Sequence, residues 1–318
     1  MQLSCGLPPG PDLPDLAALA EDLGYARLWV FDSAPLWEDT FVHLALAAQR
    51  TSRIGLSTAV LVPTQRSVMS MASAIATIAR LAPGRVRMAF GTGYTSRHAI
   101  GKRPMPLKDL MRYVQQVRAL LAGEAVEIDG AVSRMLHWDS LALPRPIEVP
   151  LWVSVFGPRG RAMVADVADG IVGGPHPDLP SATMVSGTVL NEDEEPTADR
   201  VLQAIAPWRL TAWHMAYADG GPEVVDALPA GAEWRAALEA EQPAERRHLL
   251  PFEAHVTHVT PRDRRLLPDI DVDRMVGSLP ALSAEVAAMA ADGLSEIIYT
   301  PAGPDVAREL RSFRPVAP

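Results

Sequence analysis

The part of the chain best suited to bind an anion lies where an apolar run passes into a predicted helix. This part is SVFGP, residues 154–158. Because free backbone N–H groups at a helix start bind anions, the segment predicts a phosphate-binding turn, and Arg159 and Arg161 would add positive charge. A plain helix cap is the alternative. The GTG at residues 91–93 lacks the third glycine of a dinucleotide fingerprint, and the chain has no Walker motif.

Metal binding and nucleophilic catalysis have little support in the sequence. His255 and His258 could share one helix face, but no carboxylate pair stands at a spacing that would complete a metal site, so no metal is expected. The chain has no GxSxG elbow, and Cys5 lies in an apolar run, where a core position is expected. His255 follows a long insertion and is a candidate pocket residue, with a structural histidine as the alternative.

A strand–helix–strand unit between residues 54 and 93 indicates how the chain positions these groups. Ile54–Val62 is an apolar, β-branched run that predicts a buried parallel strand. Ser67–Leu81 follows with apolar residues at helical spacing, and Arg85–Phe90 predicts a second strand that ends at the GTG. Neighbouring parallel strands need a crossover of this kind.

The same alternation along the whole chain predicts an α/β fold. Eight strand-like runs alternate with helices, which favours a single-domain (β/α)8 TIM barrel over residues 1–318. Insertions are expected after strands 4 and 7, at about 123–150, where a hairpin is predicted, and at about 207–277. A doubly wound sheet is the alternative. The predicted strands are Leu3–Leu7, Arg27–Phe31, Ile54–Val62, Arg85–Phe90, Leu151–Phe156, Gly170–Gly173, Val185–Leu190 and Glu296–Tyr299.

For two helices the sequence predicts a specific buried face or starting residue. The helix at Glu38–Gln49 is expected to turn Val42, Ala45 and Leu46 inward. The helix at Thr197–Ala206 is expected to begin at Thr197, a residue type that caps helices well.

The predicted strand ends are rich in glycine and small residues. In a TIM barrel the catalytic face lies at the carboxyl ends of the strands. A planar ligand lying close to the backbone would explain the small residues, and ordinary strand-to-helix turns are the alternative.

Composition argues against several classes of protein. The net charge of -9 does not suit a nucleic-acid surface, and no apolar run is long enough to cross a membrane. Residues 1–10, MQLSCGLPPG, lack the pattern of a signal peptide, and Cys5 is the single cysteine, so no intrachain disulfide can form. These features predict a cytoplasmic protein.

An ordered series of segments resembles a known family. The chain is similar to the luciferase-like monooxygenase superfamily, and within it to the flavin- or deazaflavin-dependent oxidoreductases that include methylenetetrahydromethanopterin reductase and deazaflavin-dependent glucose-6-phosphate dehydrogenase. The resemblance covers about Leu3–Gly174 and resumes at Ser278–Phe313, whereas 191–277 matches only a subgroup. The segments are IGLSTAVLVPTQR, ARLAPGRVRMAFGTG, YVQQVRALLAGEAVEIDG and PLWVSVFGPRGRAMVADVADGIVGG.

The resemblance implies a flavin-type ring in the barrel mouth. It implies that Asp32 lies beside the pyrimidine side of the ring and that Ala59-Val60 is a non-prolyl cis peptide against it. It also implies that Thr92 and Gly93 flank the ring and the ribityl chain. The phosphate-binding turn that it implies consists of Ser154, Val155, Phe156 and Gly157.

The sequence departs from one branch of this family. In the sugar-phosphate dehydrogenase branch a histidine follows the aspartate of strand two and a glutamate follows the GTG. Ser33 and Tyr94 stand at these positions, so the activity of that branch is not expected. Lys102 and Lys108 would also be hard to place as the lysines that bind a sugar phosphate.

Three functional hypotheses follow. The first is an oxidoreductase that uses the deazaflavin coenzyme F420, or FMN, to transfer hydride to or from a small organic substrate. Its candidate catalytic contacts are Ser33, Tyr94 and His255, and Trp37 is a candidate pocket wall. The second is a two-component FMN-dependent luciferase-like monooxygenase; because a deazaflavin reacts poorly with oxygen, the cofactor separates it from the first. The third is a non-catalytic flavin-binding barrel. The resemblance also implies a homodimer formed through helices two and three.

Overall fold

The structure, a computed structural model, describes residues 1–266 and 275–317. The chain forms two compact units. The barrel unit comprises residues 1–94, 104–184 and 289–298, and the helical unit comprises the described residues of 95–103, 185–288 and 299–318. The expectation of a single domain stays a prediction, and residues 267–274 of the predicted second insertion lie outside the described residues.

The barrel is built from short, buried parallel strands. In chain order they are β1 (Gln2–Leu7), β2 (Arg27–Val30), β3 (Gly55–Thr58), β4 (Met88–Phe90), β5 (Leu151–Ser154), β6 (Gly170–Val172), β7 (Ser181–Val185) and β8 (Glu296–Tyr299). The sheet runs in the order β3-β2-β1-β8-β7-β6-β5-β4. Parallel bridges from Leu56 to Val86 and from Leu61 to Phe90 join β3 to β4 and close the ring. The predicted barrel is confirmed.

Helices connect the strands and pack their apolar faces against them. In α3, for example, the buried residues include Met71, Ile75 and Ile78, and the hydroxyl of Ser67 caps the helix by accepting the N–H of Ser70 at 3.2 Å. The helices are α1 (Leu13–Leu23), α2 (Thr40–Arg50), α3 (Val68–Leu81), α4 (Tyr94–His98), α5 (Leu107–Ala122), α6 (Pro158–Val164), α7 (Asp199–Arg209), α8 (Thr211–Met215), α9 (Pro222–Asp226), α10 (Gly231–Glu241), α11 (Pro261–Arg264), α12 (Leu279–Ala291) and α13 (Val306–Phe313).

The first predicted insertion contains the expected hairpin. Val126–Ile128 pairs antiparallel with Ala131–Ser133. Asp129 and Gly130 join them with φ of 50° and 82°. Two consecutive residues with positive φ form the tight turn that matches the twist of hairpin strands.

The predicted seventh strand was placed wrongly. The barrel strand is Ser181–Val185, not Val185–Leu190. Thr188–Val189 instead pairs in parallel with Val276–Gly277 in the helical unit. Both runs are apolar and β-branched, so local pattern could not decide which of them joins the barrel.

Two helix expectations were also wrong. Val42 and Leu46 are 58% and 43% exposed, and the buried face of α2 is formed by Phe41, Leu44 and Ala48. The carboxylate of Asp39 caps this helix by accepting the N–H groups of Phe41 and Val42. The helix predicted to begin at Thr197 begins instead at Asp199, after Ala198, and has no side-chain cap.

The helical unit has its own apolar core. Its buried members are Leu210, Trp213, Val225, Trp234, Leu238 and Leu266. The two indole N–H groups are satisfied: Trp213 donates to the carbonyl of Pro229 at 3.0 Å and Trp234 donates to Asp263 at 2.9 Å. In the described part of the chain, no helix has the length and apolar character needed to cross a bilayer.

A buried charge network joins strands inside the barrel. Glu296, the first residue of β8, accepts hydrogen bonds from Ser4 Oγ at 2.5 Å and Trp29 Nε1 at 2.8 Å. Its second oxygen pairs with Arg87 at 2.7 Å. The guanidinium of Arg87 lies 4.0 Å from the ring centre of Trp152. One carboxylate thus connects residues of β1, β2 and β8 with the residue directly before β4.

We predict that Glu296→Ala lowers the free energy of unfolding by about 3–5 kcal/mol, because it leaves the buried Arg87 charge unpaired. Urea denaturation followed by tryptophan fluorescence measures the change. Glu124→Ala, at an exposed position of the same unit, serves as the control and should change it by less than about 0.5 kcal/mol. Equal effects of the two substitutions would contradict the assigned role of Glu296.

Candidate functional site

The carboxyl ends of three neighbouring barrel strands meet around one glycine. Gly91 follows β4, Val60 lies after β3, and Ser154 ends β5. A Cβ placed on Gly91 would lie 2.4 Å from Cγ2 of Val60 and 3.7 Å from Cβ of Ser154. Only glycine allows this close approach, so small residues at these ends are a packing requirement.

Asp32, two residues after β2, positions the segment that follows β3. Its carboxylate accepts the backbone N–H of Val62 at 3.0 Å and the hydroxyl of Thr40 at 3.1 Å, and it pairs with Arg66 at 2.9 Å. Arg66 also pairs with Asp39 at 2.7 Å. Burial opposes the charge of Arg66, but the two carboxylates outweigh it and raise the pKa of its guanidinium. Both oxygens of Asp32 are therefore engaged within the protein, and its predicted contact with a ring stays a prediction.

Ser33 places a hydroxyl at the end of β2 with no protein partner among the described residues. The residue is 4% exposed, and its Oγ makes no hydrogen bond. Its carbonyl accepts the N–H groups of Leu36 and Trp37 at 2.8 and 3.0 Å, which fixes the backbone. A buried hydroxyl without a partner is costly, so this one is suited to a ligand.

The loop after Ser33 forms one wall of a cavity in the barrel unit. The indole of Trp37 packs on Phe31 with ring centres 5.5 Å apart. The cavity measures about 430 Å³, and its lining consists of Pro9, Gly10, Pro11, Ala34, Pro35, Leu36, Trp37 and Glu38. Trp37 lines this cavity, while its predicted place as a wall of the substrate pocket stays a prediction.

The peptide between Ala59 and Val60 is cis, as the family resemblance implied. The N–H of Ala59 donates to the carbonyl of Val30 at 2.8 Å. The N–H of Leu61, one residue beyond, donates to the carbonyl of Ala89 at 2.7 Å. The segment is thus bonded to β2 on one side and to β4 on the other.

The GTG segment after β4 contains a left-handed backbone conformation, which its glycine allows. Gly93 has φ of 78°, a conformation that favours glycine. The carbonyl of Thr92 accepts the N–H of Met105 at 2.9 Å, and Tyr94 begins α4. The chain at residues 92–94 therefore continues directly from Gly91, the glycine that packs against Val60.

The turn after β5 leads into α6, as predicted. Gly157 caps the helix, Val155 is buried and Phe156 is 77% exposed. A Cβ on Gly157 would meet nothing within 4 Å, so its backbone faces open space. Arg161 donates to the carbonyls of Gly174 and Pro175 and is already engaged, whereas the neighbouring Arg159 is exposed.

His255 lies in the helical unit and forms a pair that the sequence did not reveal. Its Nδ1 lies 2.8 Å from Nδ1 of His214, and its Nε2 lies 3.4 Å from Oγ1 of Thr95. Burial lowers the pKa of His255 to about 4. Burial, followed by the neighbouring His255 and Arg262, lowers the pKa of His214 as well. Both rings are neutral at pH 7.

Other reactive groups have structural positions. Burial raises the pKa of the Cys5 thiol to about 12, so the thiolate is not populated at neutral pH. Among residues 1–266 and 275–317, no cluster of three or more histidine, cysteine or acidic side chains could hold a metal ion. Sequence reasoning missed Arg66 and His214, since nothing in their spacing indicates which side chain each one meets.

A comparison with protein families decides the affiliation of the chain. Residues 4–186 match the luciferase-like monooxygenase family. The chain belongs to this family. Solved structures share the fold of this luciferase-like chain at low identity. An F420-dependent secondary alcohol dehydrogenase in complex with an F420-acetone adduct gives a TM-score of 0.68 at 16% identity, covering 99% of this chain and 97% of that one. The oxygenating constituent of 3,6-diketocamphane monooxygenase from Pseudomonas putida, in complex with FMN, gives 0.64 at 13% identity, covering 99% and 97%.

Curated relatives of this luciferase-like chain match it over part of their length. The F420-dependent glucose-6-phosphate dehydrogenase of Beutenbergia cavernae is 35% identical over 176 residues, covering 51% of this chain and 52% of the relative. The 5,10-methylenetetrahydromethanopterin reductase of Archaeoglobus fulgidus is 30% identical over 156 residues, covering 48% and 46%. The chain thus spans about half the length of the curated relatives it matches.

We predict that Gly91→Ala displaces the segment at Val60 and lowers the free energy of unfolding by about 1–3 kcal/mol, because the added methyl overlaps a branched side chain. Thermal and urea denaturation measure the loss. Gly10→Ala is the control, since a Cβ there meets nothing within 4 Å. A stable Gly91→Ala protein would show that the three strand ends are not in contact.

We predict that stability falls as the pH is lowered from about 6.5 to about 4. The unfolded chain takes up a proton at His255 near pH 6.5, whereas the folded chain takes it up only near pH 4. This residue contributes a loss of about 3 kcal/mol over that window. Urea denaturation across this range measures how the free energy of unfolding depends on pH. This dependence should be shallower for His255→Asn and unchanged for His258→Asn, a substitution at an exposed position. Identical slopes for all three proteins would contradict the buried, neutral state of His255.

Proposed function

We propose that this luciferase-like chain is an oxidoreductase that uses coenzyme F420 to transfer hydride to or from a small organic substrate. The observation that carries the proposal is the close packing of the strand ends at Val60, Gly91 and Ser154, together with the buried hydroxyl of Ser33, which has no partner among the described residues. Matched relatives and one solved neighbour are named for F420, which supports the choice of cofactor.

The residues present fit a flat ring with a phosphate-bearing tail. A ring against Val60 would lie over backbone rather than bulky side chains, and Ser33 would supply a hydroxyl to it. The open face of Gly157 and the exposed ring of Phe156 leave room for a tail. Backbone N–H groups at the start of α6 suit a phosphate there. When bound, the deazaflavin supplies the hydride chemistry.

The remaining tasks fall to this chain's own side chains. Asp32 keeps the Ala59–Val62 segment in place rather than reacting. We propose Ser33 and Tyr94 as polar contacts for the cofactor or the substrate. His255, which lies in the helical unit, stays a predicted contact. Sugar-phosphate oxidation is not proposed, because Ser33 and Tyr94 replace the histidine and glutamate of that branch.

An FMN-dependent monooxygenase is the second candidate. This hypothesis is supported by the FMN complex of 3,6-diketocamphane monooxygenase, which shares this fold. The cofactor distinguishes the two functions.

Titration of the purified protein with F420 and with FMN tests the proposal. We predict micromolar binding of F420 and much weaker binding of FMN. Ser33→Ala should weaken F420 binding about tenfold without lowering stability, because it removes a hydroxyl that bonds only to the ligand. Ser70→Ala, at an exposed position of α3, is the matched control.

Three outcomes would contradict the proposal. Tight binding of FMN alone would favour the monooxygenase. Binding of neither cofactor would remove both enzymatic functions. If F420 binds but no small hydride donor reduces it, a non-catalytic barrel is favoured.

We also propose that the protein is a homodimer through the outer face of α2. Val42 and Leu46 are exposed one turn apart on this helix, and the family resemblance implies pairing there. Val42→Asp should convert the dimer to a monomer in sedimentation velocity, whereas Val132→Asp on the exposed hairpin should not. A monomeric natural protein would contradict this.

A cytoplasmic location stays a prediction.

A further inference from the structure

The helical unit contains a buried pair of imidazole rings. Nδ1 of His214 lies 2.8 Å from Nδ1 of His255. The two residues are 2% and 8% exposed. His214 packs against Trp234 and Phe252, with ring centres 5.8 and 6.1 Å apart. Neither ring can turn away from the other without displacing this aromatic packing.

The short distance between the two nitrogens limits the protonation states of the pair. Two Nδ1 atoms at 2.8 Å share one hydrogen, so one ring donates and the other accepts. The donor ring carries its hydrogen on Nδ1 and has a lone pair on Nε2. The acceptor ring carries its hydrogen on Nε2. The tautomer of one histidine therefore dictates the tautomer of the other.

The surroundings of His214 decide which ring donates. Within the described residues, Nε2 of His214 and Nη2 of Arg262 are both buried without a hydrogen-bond partner. The charge of Arg262 acts on the imidazole of His214. Because a buried N–H without an acceptor is costly, the hydrogen of His214 belongs on Nδ1, which has His255 as its acceptor, and not on the unpartnered Nε2.

Arg262 is itself fixed in place. Its Nε lies 3.2 Å from Asp263, and its Nη1 lies 3.1 Å from Glu241. The side chain is 5% exposed, so its charge is a permanent feature of this interior.

We propose that His214 is a positioning residue that fixes His255 as the tautomer protonated on Nε2. His214 donates from Nδ1 to Nδ1 of His255. His255 then presents an N–H from Nε2, which lies 3.4 Å from Oγ1 of Thr95. This contact is long enough to leave the hydrogen able to serve a second acceptor.

Long-range ¹H–¹⁵N correlation spectra of the full chain labelled at histidine test the tautomers without cofactor or substrate. Single variants at His214 and His255 assign the two residues among the eight histidines. We expect His255 to show a protonated Nε2 and an unprotonated Nδ1, and His214 to show the reverse. The opposite pattern, or an imidazolium at pH 7, would overturn the proposal.

Two substitutions separate positioning from a merely structural role. His214→Phe keeps an aromatic ring but removes the donor, so the Nε2 signal of His255 should move to an averaged position between its two tautomers. His214→Gln supplies an amide N–H and should restore the protonated Nε2. An unchanged His255 spectrum in His214→Phe would also overturn the proposal, and if that variant does not fold, the spectrum of the natural chain still decides it. Since no cofactor is present, failure of F420 binding would leave this result unaffected.

Discussion

One buried carboxylate fixes the geometry on which the candidate site depends. Asp32 binds the backbone of Val62 at 3.0 Å and the guanidinium of Arg66 at 2.9 Å, so the end of β2 determines the path of the chain after β3. Val60 is thereby held where Gly91 can pack against it. Asp32 is thus a scaffold for the backbone after β3, and its own predicted contact with a ring stays a prediction.

The buried charge network and the candidate site lie at opposite ends of the barrel strands. Glu296 is the first residue of β8 and Arg87 directly precedes β4, so their charge network lies toward the amino ends. The carboxyl ends hold small residues such as Gly91 and the buried hydroxyl of Ser33. This separation, typical of TIM barrels, allows the mouth to vary in chemistry while the core network keeps the ring closed.

Much of the barrel could be predicted from the sequence, because each strand is an apolar run and each helix has its own period. Such local patterns do not show which strands pair when they are distant in the sequence. Ser181–Val185 and Thr188–Val189 look alike locally, yet only the first pairs within the barrel. The strand ends indicated candidate site residues, which stay predictions, and the family resemblance correctly implied the cis peptide at Ala59-Val60. The pairings of Asp32 with Arg66 and of His214 with His255 join distant parts of the chain, and only three-dimensional contacts reveal them.

A crystal structure with coenzyme F420 bound would show whether a flat ring lies on the strand ends with its phosphate at the turn after β5. We predict the ring against Val60 and Gly93, a hydrogen bond from Ser33, and the phosphate against the N–H groups of residues 156 and 157. A ring bound elsewhere, or a phosphate remote from Gly157, would contradict this prediction.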